Sequence, residues 1–184
     1  MNNKIKSLDE ISKVVLSKRS KGSKIVHCHG VFDLLHIGHI KHFKEAKSFG
    51  DILVVSITPD HFVNKGPGRP AFTTQLRLES LAALECVDYV LANKWPSAEK
   101  AIEIIKADFY CKGPDYKDHK NDISGQIKNE IKELKKFGGK IIYTRDITFS
   151  STNLINRYEE TKSNSQSLFI KKIKKNYTFL KIRE

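Results

Sequence analysis

The chain reads as an α/β fold, a mainly parallel five-stranded sheet doubly wound with helices on both faces. Three observations predict it. Apolar runs of strand length, such as Ile52-Leu53-Val54-Val55, are continuous rather than alternating, which marks a strand buried on both sides. Segments with helical spacing fall between these runs, so strands and helices alternate along the chain. The 184 residues are 39% hydrophobic, enough for one substantial core and too regularly patterned for a disordered chain.

Each element follows from its local pattern. Leu8 to Ser20 places Leu8, Ile11, Val14 and Val15 near helical spacing and reads as a helix outside the sheet, in an N-terminal extension over 1–23. Lys24 to Cys28 is the first strand. Ile37 to Phe49 is a helix that Gly50 closes. Asp51 to Thr58 is the second strand, and Pro59 to Phe62 begins a short turn. Lys65-Gly66-Pro67-Gly68-Arg69-Pro70 is a basic loop that no regular element accommodates. Thr73 to Leu84 is a helix, Val87 to Leu91 a strand, and Ser97 to Lys106 a helix with Ser97 as its N-cap. Asp108 to Cys111 is a short strand and Asp122 to Phe137 a charged helix stopped by Gly138-Gly139. Lys140 to Tyr143 is the last strand, followed by a helix over Ser150 to Glu160. The main domain is 24–160, and the arrangement is Rossmann-like. Right-handed crossovers place the loops after the strands along one edge, where ligands of such sheets bind.

Charge and composition narrow the function. The net charge is +12, and about half of the excess lies in 161–184, which holds seven basic residues and one acidic one. That tail interleaves lysines with Leu168, Phe169, Ile170, Ile173, Tyr177, Phe179, Leu180 and Ile182, as a basic amphipathic segment or a linker to a further domain does. A mildly basic body suits phosphorylated substrates, and no RNA-binding strand or DNA-reading motif points to nucleic acid. No apolar run is long enough to span a membrane, and the first residues lack a secretory apolar region. Cys28, Cys86 and Cys111 are odd in number and form no C-x-x-C, so reduced thiols in a cytoplasmic protein are the expectation.

The most informative stretch is His29-Gly30-Val31-Phe32-Asp33-Leu34-Leu35-His36-Ile37-Gly38-His39. A strand ends in glycine, turns at Asp33, and enters a helix through two histidines three residues apart. Residues at i and i+3 share a helix face, so His36 and His39 point together at the helix N-terminus. That terminus offers unpaired N–H groups and the positive end of the dipole, both favourable to phosphate. Two imidazoles there can donate to phosphate oxygens as charge develops. A plain helix start with two surface histidines leaves Gly30, Asp33 and Gly38 unexplained. His27, Cys28, His29, His36, His39 and His42 also crowd together, but His27 and His29 share one strand face while Cys28 points to the other, which disfavours structural zinc.

Other polar clusters sit where loops follow strands. Lys65 and Arg69 lie in the Gly/Pro loop, as flexible clamps on a triphosphate do. Arg77 follows one helical turn later and is equally a partner for Glu79 or Glu85. In Lys112-Gly113-Pro114-Asp115-Tyr116, Gly113 allows close backbone approach of a ligand, and a structural turn explains the stretch as well. Ser150, Ser151 and Thr152 open a helix, as caps or anion contacts. Asp33 and Asp60 are the carboxylates nearest the expected cleft.

Gly30-Val31-Phe32-Asp33 followed by His36-Ile37-Gly38-His39 resembles the H-x-G-H element of the cytidylyltransferase-like nucleotidyltransferases, a likeness covering about 24–158. The resemblance implies transfer of a nucleoside monophosphate from ATP or CTP to a sugar or polyol phosphate, with pyrophosphate released. It implies catalytic roles for His36, His39, Lys65 and Arg77. It implies nucleotide contacts from Gly30, Val31, Phe32, Asp33, Gly38, Lys112, Gly113, Asp115, Arg145, Ser150, Ser151 and Thr152, and acceptor contacts from Asp60 and Tyr116. Mg²⁺ would arrive with the triphosphate, with Asp33 the one protein ligand considered. The stretches Lys65 to Pro70, Ala83 to Asp88 and Lys112 to Tyr116 are similar to heptose 1-phosphate adenylyltransferases, which favours ATP and a heptose phosphate in surface-polysaccharide precursor synthesis. Arg145 instead resembles an arginine of the glycerol-3-phosphate cytidylyltransferases, and Cys28-His29-Gly30-Val31 departs from the heptose pattern of asparagine-glycine-cysteine. Similar proteins are fused to a sugar kinase, and a homodimer is expected. A non-catalytic nucleotide-binding domain is the alternative of another class.

Overall fold

A computed structural model describes residues 3–65, 68–117 and 125–145, all within one compact unit. The elements run α1 (Leu8–Ser20), β1 (Ile25–Gly30), α2 (Ile37–Lys47), β2 (Ile52–Ile57), a 3₁₀ turn (Asp60–Phe62), α3 (Thr74–Ala82), β3 (Tyr89–Ala92), α4 (Glu99–Ile105), β4 (Phe109–Lys112), a second 3₁₀ turn (Pro114–Tyr116), α5 (Ile127–Lys136) and β5 (Lys140–Tyr143). The five strands are all parallel, in the order β3-β2-β1-β4-β5. The sheet therefore changes direction of growth between β1 and β4, and the crevice outside their carboxyl ends is where such a sheet receives ligands.

Period-two alternation divides the strands between two cores. Val26, Cys28, Leu53, Val55, Ile57, Val90 and Cys111 pack with Phe43 and Ala46 of α2 and Leu78 and Leu81 of α3. Ile25, Val54 and Leu91 pack on the opposite face with Leu8, Ile11 and Val15 of α1 and Ala101 and Ile105 of α4. The α1 start is fixed by a reciprocal cap: the Ser7 side chain accepts from the Glu10 N–H while Glu10 Oε2 accepts from the Ser7 N–H. Ahead of α1, Val90 N–H donates to the Lys4 carbonyl and Lys6 N–H to the Val90 carbonyl, stitching the N-terminal segment to the sheet edge.

The expected elements recur with shifted ends. The helix expected from Ser97 begins at Glu99 with Ala98 as N-cap, and the Ser97 hydroxyl instead lies 3.3 Å from Glu99 Oε1. Gly50 does more than stop α2, because a Cβ there would stand 2.9 Å from the Lys24 carbonyl oxygen and 2.7 Å from Val26 Cγ2. The glycine lets the α2–β2 turn close onto the start of β1. The expected helix over 150–160 and the tail over 161–184 lie outside the described residues. Among the described residues, no helix is long and apolar enough to cross a membrane.

Candidate functional site

The turn after β1 is built around a strained aromatic residue. Phe32 adopts φ 46, a left-handed conformation that is costly for a bulky side chain. Its ring packs edge-on to Phe43 at 4.9 Å and to His39 at 5.4 Å between centroids. A Cβ on Gly30 would stand 3.0 Å from the Phe32 ring, so glycine leaves the space that the ring fills. Next in the turn, buried Asp33 accepts from the Phe72 N–H at 3.1 Å and pairs with Arg69 Nε at 2.8 Å. The carboxylate thus ties the β1–α2 turn to the loop before α3. The expectation that it serves Mg²⁺ meets a group already shared between a guanidinium and a backbone N–H.

His36 is the N-cap of α2, in extended backbone, and no side chain caps the helix. His36 and His39 stack with ring centroids 3.8 Å apart and planes 28° from parallel. The Nδ1 atoms of both rings are buried and make no hydrogen bond among the described residues. Burial pushes His39 down to about 3, helped by the charges of His36, His42 and Lys65, and burial also lowers His36. At neutral pH both imidazoles are uncharged beside an uncapped helix N-terminus, where the spacing places them together, and His39 spends its one N–H on the Leu34 backbone carbonyl. The Lys65 residue is exposed overall, yet partial burial of its ammonium and then the nearby Arg69 charge lower its pKa.

Two cations expected to reach the nucleotide are turned into the protein. Arg77 is buried in α3, where Nε donates to the Phe72 carbonyl, Nη1 to the Val31 carbonyl, and Nη2 to the Thr58 carbonyl at 2.9 Å and to Asp60 Oδ1 at 2.7 Å. It braces the turn after β1, the end of β2 and the loop before α3, and does not grip a triphosphate. Asp60 is correspondingly committed: its Oδ2 accepts from the Thr74 N–H while Thr74 Oγ1 accepts from the Asp60 N–H. Burial works to raise the Asp60 pKa, and the Thr74 and Arg77 hydrogen bonds outweigh it and hold the carboxyl low.

Lys112, at the end of β4, is 6% exposed and pairs with Glu130 Oε2 at 2.9 Å. Tyr110 donates its hydroxyl to the same oxygen at 3.0 Å. The rings of Tyr110 and Tyr116 flank the ammonium at 5.1 and 4.8 Å. Lys112 is therefore an anchor beneath the crevice rather than a nucleotide contact, and Tyr116 is its lid. Glu130 and Tyr110 went unread in the sequence. The signal was present: Glu130 sits between Ile127 and Leu134 on the buried face of α5, an acid in an apolar stripe.

A second polar chain runs along β1 and β2. Ser56 Oγ meets His27 Nε2 at 2.7 Å and His29 Nδ1 at 2.8 Å, and His29 Nε2 lies 3.3 Å from Thr58 Oγ1. One hydroxyl carries one proton, so Ser56 donates to one imidazole and accepts from the other. Burial, then the Lys112 charge, holds His27 near 3 and His29 well below the usual histidine value. The same two causes hold His42 near 4, while its Nδ1 pairs with Thr144 Oγ1 at 2.9 Å. Cys28 lies opposite Cys111 on the neighbouring strand, and its side chain faces the other core. Among the described residues, no group of three or more His, Cys, Asp or Glu side chains could hold a metal ion.

Gly38 is in the first turn of α2. Gly113 has an ordinary φ of −64, and among the described residues a Cβ there would meet nothing within 4 Å. Asp115 is exposed on the second 3₁₀ turn. Arg145 follows β5, its N–H donating to the Glu45 carboxylate of α2 at 3.0 Å. Ser150, Ser151 and Thr152 lie outside the described residues.

Comparison with known proteins places this turn in a family. The cytidylyltransferase-like family model matches residues 27–173. The chain is 37% identical over 164 residues to the bifunctional protein HldE of Aliarcobacter butzleri, covering 88% of this chain and 32% of that protein. It is 39% identical over 138 residues to HldE of Sulfurimonas denitrificans, covering 74% of this chain and 29% of that protein. The chain thus spans about a third of the length of the curated relatives it matches. Among solved structures, the lipopolysaccharide core biosynthesis protein from Thermoplasma volcanium GSS1 is similar at a TM-score of 0.58 and 28% identity, over 69% of this chain and 100% of that one. The pantoate-beta-alanine ligase of Francisella tularensis shares the fold at a TM-score of 0.56 and 21% identity, over 92% of this chain and 77% of that one. The matched region opens at His27, on the strand that delivers the stacked histidine pair, and the chain belongs to the cytidylyltransferase-like family of nucleotidyltransferases.

Proposed function

We propose that this protein transfers the adenylyl group of ATP to a heptose 1-phosphate, releasing pyrophosphate, in the synthesis of a surface-polysaccharide precursor. The observation that carries this reading is the stacked pair His36 and His39 at the uncapped N-terminus of α2. An oxygen of the acceptor phosphate attacks the α-phosphorus, and the bond to the bridging oxygen breaks as pyrophosphate leaves. The acceptor phosphate is already ionised, so no strong general base is needed. Catalysis is positioning plus stabilisation of charge on the phosphate oxygens. His36 and His39, protonated as the polyanion binds, donate N–H groups to those oxygens, and Lys65 adds positive charge. Arg77 contributes indirectly by holding the turn that presents the histidines.

Asp33 and Asp60 are both held by arginines and backbone N–H groups, so the described residues do not form a carboxylate site for Mg²⁺. The ion belongs in the proposal only as a companion of the triphosphate. The relatives' bifunctional character and greater length fit a sugar kinase activity, fused or separate, that supplies the phosphorylated acceptor. The proposal extends to a cytoplasmic homodimer, which sedimentation reads directly. A second reading, CTP with glycerol 3-phosphate or another polyol phosphate, is favoured by Arg145, which follows β5 and resembles an arginine of the glycerol-3-phosphate cytidylyltransferases. Pyrophosphate release with ATP or CTP, each paired with heptose 1-phosphate or glycerol 3-phosphate, separates the two readings. ATP with heptose 1-phosphate is expected to give the fastest release, and His36→Ala or His39→Ala to slow it by about 10²–10³-fold. No release with any pair would leave the non-catalytic alternative.

A further inference from the structure

Four neighbouring strands end in a row of polar side chains on one face of the sheet. Thr58 follows Ser56 by two residues, and its hydroxyl reaches His29 of β1. Asn93 follows Leu91 by two residues, and Leu91 packs with Val54 on that same face. The Asn93 N–H donates to the Ile57 carbonyl at 2.9 Å, so Asn93 continues the β2–β3 ladder beside Thr58. Lys112 closes the row on β4, where its charge acts on His29. The face is apolar toward the other end, with Ile25 on β1, Val54 on β2 and Leu91 on β3. The polar row is confined to the carboxyl edge, where the crevice lies.

Within the row, Asn93 differs in one respect. It is 2% exposed, and its Nδ2 donates to the Trp95 carbonyl at 2.7 Å and the Ser97 carbonyl at 2.6 Å. Those two bonds fix which end of the amide is which, because two carbonyls accept only from the nitrogen. Its Oδ1 is buried and accepts no hydrogen bond from the described residues. A buried acceptor without a donor is destabilising, so the carboxamide is held in an orientation that only an added donor satisfies.

We propose that Asn93 is a specificity-determining residue for the acceptor, its Oδ1 receiving a hydrogen bond from a ring hydroxyl of a sugar phosphate. The inference rests on the proposed transfer to a sugar phosphate and adds the residue that recognises a ring hydroxyl of that acceptor. A sugar supplies hydroxyl donors to the Asn93–Thr58–His29 row. Glycerol 3-phosphate has too few to span it. Loss of the matching hydroxyl leaves Oδ1 unpaired again, which is how a site rejects a deoxy analogue.

The chain's single tryptophan, Trp95, is bonded to Asn93 through its carbonyl and reports on this corner without turnover. Trp95 fluorescence is titrated with mannose 1-phosphate, heptose 1-phosphate and the mono-deoxy mannose 1-phosphates, in the wild type, Asn93→Ala and Asn93→Ser. In the wild type one deoxy analogue is expected to bind at least about tenfold more weakly than its parent, and both variants should lose that discrimination while ATP binding stays within about twofold. Equal binding of all deoxy analogues by the wild type, or the same loss of affinity for every sugar in the variants, overturns the assignment. So does the absence of any fluorescence response to every sugar phosphate. Should one variant fail to fold, the other carries the assignment, and equal binding of the deoxy series by the wild type still overturns it. A response to sugars with no pyrophosphate release from any triphosphate keeps the subsite and refutes the reaction, whereas release without hydroxyl discrimination does the reverse.

Discussion

Gly30 and Phe32 show how much rests on one missing methyl group. Phe32 tolerates its left-handed backbone because its ring is wedged between Gly30, Phe43 and His39. Gly30→Ala puts a Cβ against that ring and moves it off its seat, and His39 loses its edge-on neighbour. Pyrophosphate release is expected to fall by more than tenfold in Gly30→Ala, with about 1–3 kcal/mol lost from chemical unfolding. An unchanged rate would mean that the ring does not set the position of His39. His36 and His39 were legible because i, i+3 spacing at a helix start dictates their meeting. Arg77 and Lys112 were legible as cations near the crevice but not in direction. Their acceptors are backbone carbonyls and a carboxylate on other elements, which no local pattern names.

At the scale of elements, α5 and β4 are joined by Glu130, Lys112 and Tyr110 as well as by apolar packing. A buried pair holds its place only while both members are present, since one charge alone is left desolvated. Glu130→Ala is expected to cost about 3–5 kcal/mol in chemical denaturation, while the double replacement Lys112→Met with Glu130→Leu costs markedly less. Equal losses in the two would show that the carboxylate acts through Tyr110 alone. The strands and helices themselves were readable from alternation, and all five strands lie within two residues of their expected ends. The topology needed right-handed crossovers as well as pattern. Helix starts were less readable: α4 begins past Ser97 because Asn93 captures the Ser97 carbonyl and shapes the turn before it.

Among the described residues, burial lowers the pKa of five histidines, His27, His29, His36, His39 and His42. In the unfolded chain an imidazole titrates near 6.5, whereas burial holds His27 and His39 near 3 and His42 near 4. Between those values the unfolded chain binds more protons than the folded one, so stability is full above about pH 6.5 and is lost as pH falls. Each of these histidines is expected to cost on the order of 1–2 kcal/mol between pH 6.5 and 5. Melting temperatures across pH 7.5 to 5 should therefore decline steadily, and His27→Phe should flatten part of that decline. A level profile would mean that the folded protein carries these rings charged.

The uncharged state of the stacked rings also sets a thermodynamic signature for nucleotide capture. Polyanionic phosphate placed against two neutral imidazoles makes each a stronger base, so association draws hydrogen ions from the medium. Calorimetry in buffers of differing ionisation enthalpy should record net uptake below about pH 6.5, and affinity should climb with acidity until the scaffold itself gives way.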